Sequence, residues 1–268
     1  MILQKEINAL AGKNKVRDTQ IEKDYILTWL LYGISKNTIL ASALVFKGGT
    51  LLKKNYFEDY RFSEDLDFTL LDEAMTNETI KAEMQLVIAF VKEEANITYQ
   101  FNEAQSGTHQ NGSLYYFLNY IGPLNAALAS RDLKIDITRD EILEFDVVDR
   151  KTFINYSDLP KESFILKCYT LEEVLIEKMT ALMGRQEPRD LYDFWYLTEM
   201  EGIMPADYKG EFERKLRNKG HNPAEIAEKV IAREANLKKD WVRKLENQMN
   251  DLPDFDDIFR KAKRKFKF

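Results

Sequence analysis

The feature that most constrains the fold is a change in the spacing of apolar residues about two thirds of the way along the chain. Residues 65–70 and 133–138 alternate strictly between apolar and polar side chains, which predicts half-buried strands. From Thr170 onward nearly every segment has helical spacing, and no clear strand remains. The sequence therefore predicts an α/β domain with a mixed sheet over residues 1–160, followed by a helical domain over residues 161–268.

Composition excludes several classes of protein. The chain has 268 residues, with 39 Lys plus Arg against 45 Asp plus Glu and a net charge of −6, so a nucleic-acid partner needs a local basic patch. One cysteine and two histidines leave no room for an intrachain disulfide or a Cys-rich zinc site. The longest apolar stretch, residues 26–34, is far shorter than the ~20 residues that span a bilayer. We expect a cytoplasmic protein without membrane contact.

Two aspartates point to a metal site. Asp65 and Asp67 lie two apart on a predicted strand, so both carboxylates leave the same face. The two negative charges repel each other. A Mg²⁺ ion held by carboxylates and substrate phosphates is the usual way to neutralise such a pair. The alternative is a solvated acidic strand face. Asp136 lies between Ile135 and Ile137 on another alternating strand, so it must also face away from the core and is the candidate third carboxylate.

A glycine turn precedes the acidic strand. Gly48, Gly49 and Thr50 follow a short apolar run and open a helix. Glycines let backbone N–H groups approach a phosphate, and Thr50 is expected to cap the helix while it offers its hydroxyl to the same anion. Because Asp65 follows Thr50 by 15 residues, the sequence predicts a phosphate cradle beside a metal site.

The helical half contains one lysine in an unusual place. Lys178 falls in the middle of an apolar helix face, at i+4 from Val174 and i+3 from Leu175. A cation on a buried face requires an anion, which favours a triphosphate contact; the alternative is a snorkelling side chain at the edge of the helix. Asp190 and Asp193 share one face of the next helix, and the sequence does not decide which acid is functional.

Four stretches together resemble a known family. LVFKGGTLLKKNYFEDYRFSEDLDFTL resembles the signature of the AbiEii/AbiGii-type nucleotidyltransferase toxins, a branch of the DNA polymerase β superfamily. Further similar stretches are EKDYILTWLL, KIDIT and EEVLIEKMTALMGRQEPRDLYDFWYL, so the resemblance covers about residues 20–200. By motif, the functional residues that the resemblance carries over are Thr50, Asp65, Asp67, Asp136, Lys178, Arg185 and Asp190.

The resemblance implies a fold and an activity. The fold is a polymerase β-like nucleotidyltransferase domain followed by a helical domain, with the active site in the cleft between them. The activity is Mg²⁺-dependent transfer of a nucleotide from an NTP, with Mn²⁺ as the other candidate cation, to an acceptor that is a tRNA 3′ end in related branches. The setting is a toxin–antitoxin or phage-defence system with a separate antitoxin. The alternatives are nucleotidylation of a protein or small molecule, and a catalytically idle NTP-binding module.

A basic C-terminal segment is the candidate RNA contact. Six cations fall in the last nine residues: Arg260, Lys261, Lys263, Arg264, Lys265 and Lys267. Such a block on an acidic protein can meet an RNA backbone, and the alternative is a solvated, frayed terminus. The next candidates for RNA contact are Lys53, Lys54 and Arg61.

Overall fold

The computed structural model describes residues 1–266, and its internal contacts divide the chain into two units. The first unit contains Met1–Glu141 and Val147–Cys168. The second contains Ile142–Asp146 and the chain from Tyr169 onward. The short segment between the two parts of the first unit therefore belongs with the helical second unit.

An eight-stranded mixed sheet is the main element of the first unit. Its strands are β1 (Leu44–Lys47), β2 (Asp65–Leu70), β3 (Thr98–Phe101), β4 (Gly107–Thr108), β5 (Leu114–Ile121), β6 (Asp132–Thr138), β7 (Val148–Lys151) and β8 (Ile165–Cys168). The spatial order is β3-β5-β6-β2-β1-β8-β7, and β4 pairs with β5. Strand β2 is parallel to β6, β1 is parallel to β8, and the other pairs are antiparallel. The predicted mixed sheet is confirmed.

Alternation along β2 and β6 buries one face of these strands. Leu66, Phe68, Ile135 and Ile137 have at most 1% of their surface exposed, because every second residue of a strand points to the same side. The helices of this unit are α1 (Gln4–Asn14), α2 (Asp18–Lys36), α3 (Thr38–Ala43), α4 (Gly48–Leu51), which continues as a π-helical turn over Leu52–Tyr56, and α5 (Asn77–Ala95).

The regular secondary structure of the second unit, within residues 1–266, is helical. Its helices are α6 (Leu171–Gly184), α7 (Pro188–Trp195), which continues as a π-helical turn over Tyr196–Met200, α8 (Lys209–Asn218), α9 (Ile226–Ala232), α10 (Glu234–Leu245) and α11 (Phe255–Lys265). Thr170 caps α6 by accepting the Glu173 N–H at 3.2 Å. None of the helices within residues 1–266 combines the length and hydropathy that crossing a bilayer requires.

A buried ion pair attaches the segment Ile142–Asp146 to this helical unit. Lys215 Nζ lies 2.6 Å from Glu173 Oε1 and also donates to the Ile142 carbonyl at 3.1 Å. The other carboxylate oxygen of Glu173 accepts the N–H groups of Glu144 and Phe145. Both charged side chains are 1% exposed, so the pair is stable only because each is almost fully hydrogen-bonded.

Cys168, at the end of β8, provides a simple test of the packing. Its thiol is fully buried and donates to the Leu166 carbonyl, and burial raises its pKa to about 12. Because the thiolate is the reactive form, we expect no alkylation by iodoacetamide at pH 8 in the native protein and rapid alkylation in denaturant. Mass spectrometry of the alkylated peptide measures this, and fast modification under native conditions would contradict the packing of β8.

Candidate active site

The glycine turn connects β1 to α4 and lies close to two charged side chains. Gly48 has φ +79°, and a Cβ added there would collide with Asp67 Oδ2. A Cβ at Gly49 would lie 2.6 Å from the Arg61 guanidinium. Only glycine therefore permits the backbone of this turn to approach the Asp67 carboxylate and the Arg61 guanidinium so closely.

Thr50 attaches the turn to the acidic strand. Its hydroxyl donates to the backbone carbonyl of Asp65 at 2.5 Å, and the residue is 1% exposed. The expectation that Thr50 caps the helix is wrong, because Lys47 occupies the N-cap position and Thr50 is the third residue of α4. Its hydroxyl instead fixes the start of β2 against the glycine turn.

The three candidate carboxylates come from neighbouring strands. Register pairs Asp67 with Asp136, and Asp65 with Lys134, across the parallel strands β2 and β6. Paired residues on adjacent strands share a face, so the three acids and Lys134 lie on one side of the sheet. Among residues 1–266, no three Asp, Glu, His or Cys side chains converge as they stand into a group that could hold a metal ion. Lys134 Nζ lies 2.6 Å from Asp136 Oδ2, so one carboxylate oxygen of Asp136 is paired with an ammonium group.

A buried charge cluster connects α6 and α7. Lys178 Nζ lies 3.0 Å from Asp190 Oδ1 and 2.8 Å from Asp193 Oδ2, and the three side chains are 7%, 1% and 0% exposed. Arg185 Nε lies 2.7 Å from Asp190 Oδ2. The snorkelling alternative for Lys178 is therefore wrong, because its charge is buried against carboxylates of its own unit. Both candidate acids contact the lysine, so its pairing does not single out one of them.

The cluster also makes the stability of this unit dependent on pH. Burial opposes ionisation of Asp190, but the charges of Lys178 and Arg185 outweigh it and hold the pKa of this carboxyl well below its usual range. Because the folded-state pKa of Asp190 is lowered, its contribution to the free energy of unfolding is fully present above its unfolded-state pKa of ~3.9. It is lost as the pH falls towards the folded-state pKa.

The basic C-terminal segment is mostly folded. Helix α11 buries Phe255, Ile258, Phe259 and Ala262, and Phe266 stacks on Phe194 with ring centroids 4.3 Å apart. The alternative that the segment is a frayed terminus is therefore wrong for residues 255–266. Lys267 lies outside the described residues. Three of the cations on α11 make local contacts: Arg260 with Asp257, Lys265 with Glu199, and Lys263 with the Phe259 ring. Lys261 and Arg264 are exposed and have no ion pair within residues 1–266.

The prediction that Lys53, Lys54 and Arg61 contact RNA is wrong. Lys53, Lys54 and Arg61 are 6%, 1% and 2% exposed, so they cannot form a surface that receives RNA. Lys54 instead pairs with Asp24 at 2.5 Å, and Tyr156 donates to the same carboxylate at 2.5 Å. This network attaches helix α2 to the π-helical turn that comes after α4. Asp24, which belongs to the EKDYILTWLL stretch, therefore has a structural role.

Sequence reasoning assigned no role to two residues beside the site. Lys134 is one, although its position two residues before Asp136 already placed it on the same strand face. Lys47 is the other: it is 6% exposed and its register partner is Asp67. No sequence signal could have found Lys47, because the antiparallel pairing of β1 with β2 is a long-range contact.

Comparisons with known proteins identify the family and the fold of the chain. Residues 29–261 match the family model described as the nucleotidyl transferase AbiEii toxin of type IV toxin–antitoxin systems. Among solved structures, the chain is similar to MenT4, the nucleotidyltransferase toxin Rv2826c of Mycobacterium tuberculosis H37Rv, with 16% identity, coverage of 100% of this chain and 89% of that one, and a TM-score of 0.61. JHP933 from Helicobacter pylori gives 19% identity, coverage of 92% and 91%, and a TM-score of 0.55. No curated protein sequence matches the chain significantly.

The family model identifies the chain as a nucleotidyltransferase. The chain belongs to the AbiEii family of nucleotidyltransferase toxins, as the resemblance predicted. Membership implies an NTP as substrate and an antitoxin as partner. The two solved structures are too distant in sequence to show more than the fold.

Proposed function

We propose that this toxin transfers a nucleoside monophosphate from an NTP to the 3′ end of an RNA, with tRNA as the acceptor, in a Mg²⁺-dependent reaction. The observation that carries the proposal is the connection of the glycine turn to the acidic strand: Gly48 packs against the Asp67 carboxylate, and Thr50 donates to the Asp65 carbonyl. A phosphate-binding turn and a metal-binding strand are thereby held together. The cytoplasm, where NTPs and tRNA meet, is the proposed location, and phage defence is the proposed setting.

The residues present fit a hard divalent cation. The donors would be carboxylate oxygens of Asp65, Asp67 and Asp136, which Mg²⁺ prefers, and Mn²⁺ accepts the same ligands. The ammonium of Lys134 already occupies a cation position at Asp136. When bound, the cation would neutralise charge on the phosphates of the substrate.

The chain's own groups supply the remaining functions. The backbone at Gly48, Gly49 and Thr50 would hold the triphosphate. Both glycines are needed in this turn, because a side chain at either would meet Asp67 or Arg61. Lys178 and Arg185 would supply positive charge to the phosphates, and Asp190 would hold both cations in place through the contacts described above. The third carboxylate, Asp136, would also receive the proton of the attacking hydroxyl.

The decisive experiment incubates the protein with each labelled NTP in turn, total RNA and Mg²⁺. We expect label from one or more NTPs to enter RNA of tRNA size, at its 3′ end. Label in protein or a small molecule would support nucleotidylation of another acceptor, and binding of NTP without any transfer would support an idle module. Asp65→Asn serves as the negative control.

Two exposed cations on α11 are expected to contribute to acceptor binding. The change Lys261→Gln/Arg264→Gln should weaken RNA binding and reduce the log–log salt slope by about 1.4, at roughly 0.7 per lost contact to a single strand. NTP affinity should not change. Substitution is preferable to deletion of the segment, because deletion would remove the buried Ala262 and Phe266.

Fluorescence anisotropy of a labelled RNA at two salt concentrations measures both quantities. The matched control is Lys5→Gln/Lys92→Gln, which removes two exposed helix lysines of the first unit. An unchanged affinity and an unchanged slope in the α11 variant would show that this helix does not receive RNA.

A further inference from the structure

Lys134 lies among the three candidate carboxylates. Its Nζ is 2.6 Å from Asp136 Oδ2, and the two side chains are 31% and 26% exposed. It is also the register partner of Asp65, while Asp136 is the partner of Asp67. Two adjacent rows of the sheet therefore carry three negative charges and two positive charges on the same face, because Lys47 on β1 is the register partner of Asp67.

The ammonium and a divalent cation compete for the same carboxylate. Lys134 holds one of the two oxygens of Asp136, and its positive charge would repel a metal ion bound at the same carboxylate. Displacement of Lys134 from Asp136 therefore reduces the free energy that is gained when the metal binds.

We propose that Lys134 is an internal counter-ion of the metal site, which holds Asp136 until a divalent cation arrives and thereby sets the affinity for that cation. This inference rests on the proposed function, because it takes Asp136 as a metal ligand. Lys134 is a positioning residue, since it acts through Asp136.

The test measures binding of Mn²⁺ to the full chain without nucleotide, by electron paramagnetic resonance of the free ion. We expect Lys134→Met, which keeps an unbranched side chain one atom shorter but removes its charge, to bind Mn²⁺ about tenfold more tightly than the wild type. Lys134→Arg should keep the wild-type affinity, because it keeps the charge. The matched control is Lys167→Met, which removes another strand lysine beside an aspartate, Asp149 at 3.9 Å.

The outcomes separate this inference from the proposed function. Equal Mn²⁺ affinity in the wild type and Lys134→Met would overturn the counter-ion role and leave the metal site in place. No Mn²⁺ binding by any of the proteins would overturn the metal assignment and the counter-ion role together. If Lys134→Met does not fold, as judged by thermal melting, Lys134→Gln replaces it with the same expected result.

Discussion

Replacement of either strand aspartate, as Asp65→Asn or Asp67→Asn, should abolish nucleotide transfer while the protein remains folded. Loss of one metal-binding carboxylate removes several kcal/mol of transition-state stabilisation, and ~4 kcal/mol corresponds to a loss of about 1000-fold in rate. Asparagine has nearly the shape of aspartate, so the packing of Asp67 against Gly48 is kept. The melting temperature of the metal-free protein should change little, because the side chain keeps its shape and the charge that it loses lies among charges of both signs.

Transfer of label from the NTP and thermal melting together measure this result. The matched control is Asp149→Asn on β7, which makes the same chemical change on a strand without a proposed role. Wild-type turnover by either strand variant in the presence of Mg²⁺ would refute the metal assignment. A large loss of melting temperature would instead show that the carboxylates are structural.

Lys178→Met should reduce both transfer and stability. The substitution leaves Asp190 and Asp193 buried without the ammonium that contacts both. Breaking a buried ion pair by removing one partner costs ~3–5 kcal/mol. The loss of a charge-assisted phosphate contact would weaken NTP binding by a further ~1.5–3 kcal/mol. A snorkelling lysine would have given the opposite result for stability.

A second variant separates these two effects. Lys178→Met/Asp193→Asn removes one of the two buried negative charges, so part of the lost free energy of unfolding should return, whereas transfer should not. Urea denaturation measures the free energy of unfolding, and transfer of label from the NTP below the melting transition measures the activity. If transfer recovers with stability, Lys178 has only a structural role. Lys178→Met with wild-type stability would show that the buried cluster has been placed wrongly.

Local pattern was sufficient for much of the architecture. A period of two predicted β2 with the bounds that the structure has, Asp65–Leu70, because alternation requires only one buried face. Helical spacing predicted that Lys178 lies on a buried face and needs an anion, and its ion pairs with two carboxylates confirm this. The cap at Thr170 is an equally local contact, since the side chain and the N–H that it accepts are three residues apart.

Contacts between distant segments were decided only by the tertiary structure. Lys53, Lys54 and Arg61 read as surface cations, yet each is buried, and for Lys54 the reason is Asp24, 30 residues earlier in the chain. Thr50 was expected at a helix cap, but a carbonyl 15 residues later takes its hydroxyl. A propensity describes a residue and its near neighbours, so it cannot identify a partner that folding brings from elsewhere.

The candidate site shows the same division. The sequence by itself determined that Asp65 and Asp67 share a strand face and that Asp136 faces away from the core, because strand geometry has a period of two. Only the pairing of β2 with β6 decided that Asp67 lies beside Asp136 and that Lys134 enters the same group. Register depends on how whole strands pack, and a shift of one residue would have turned these charges to the other face.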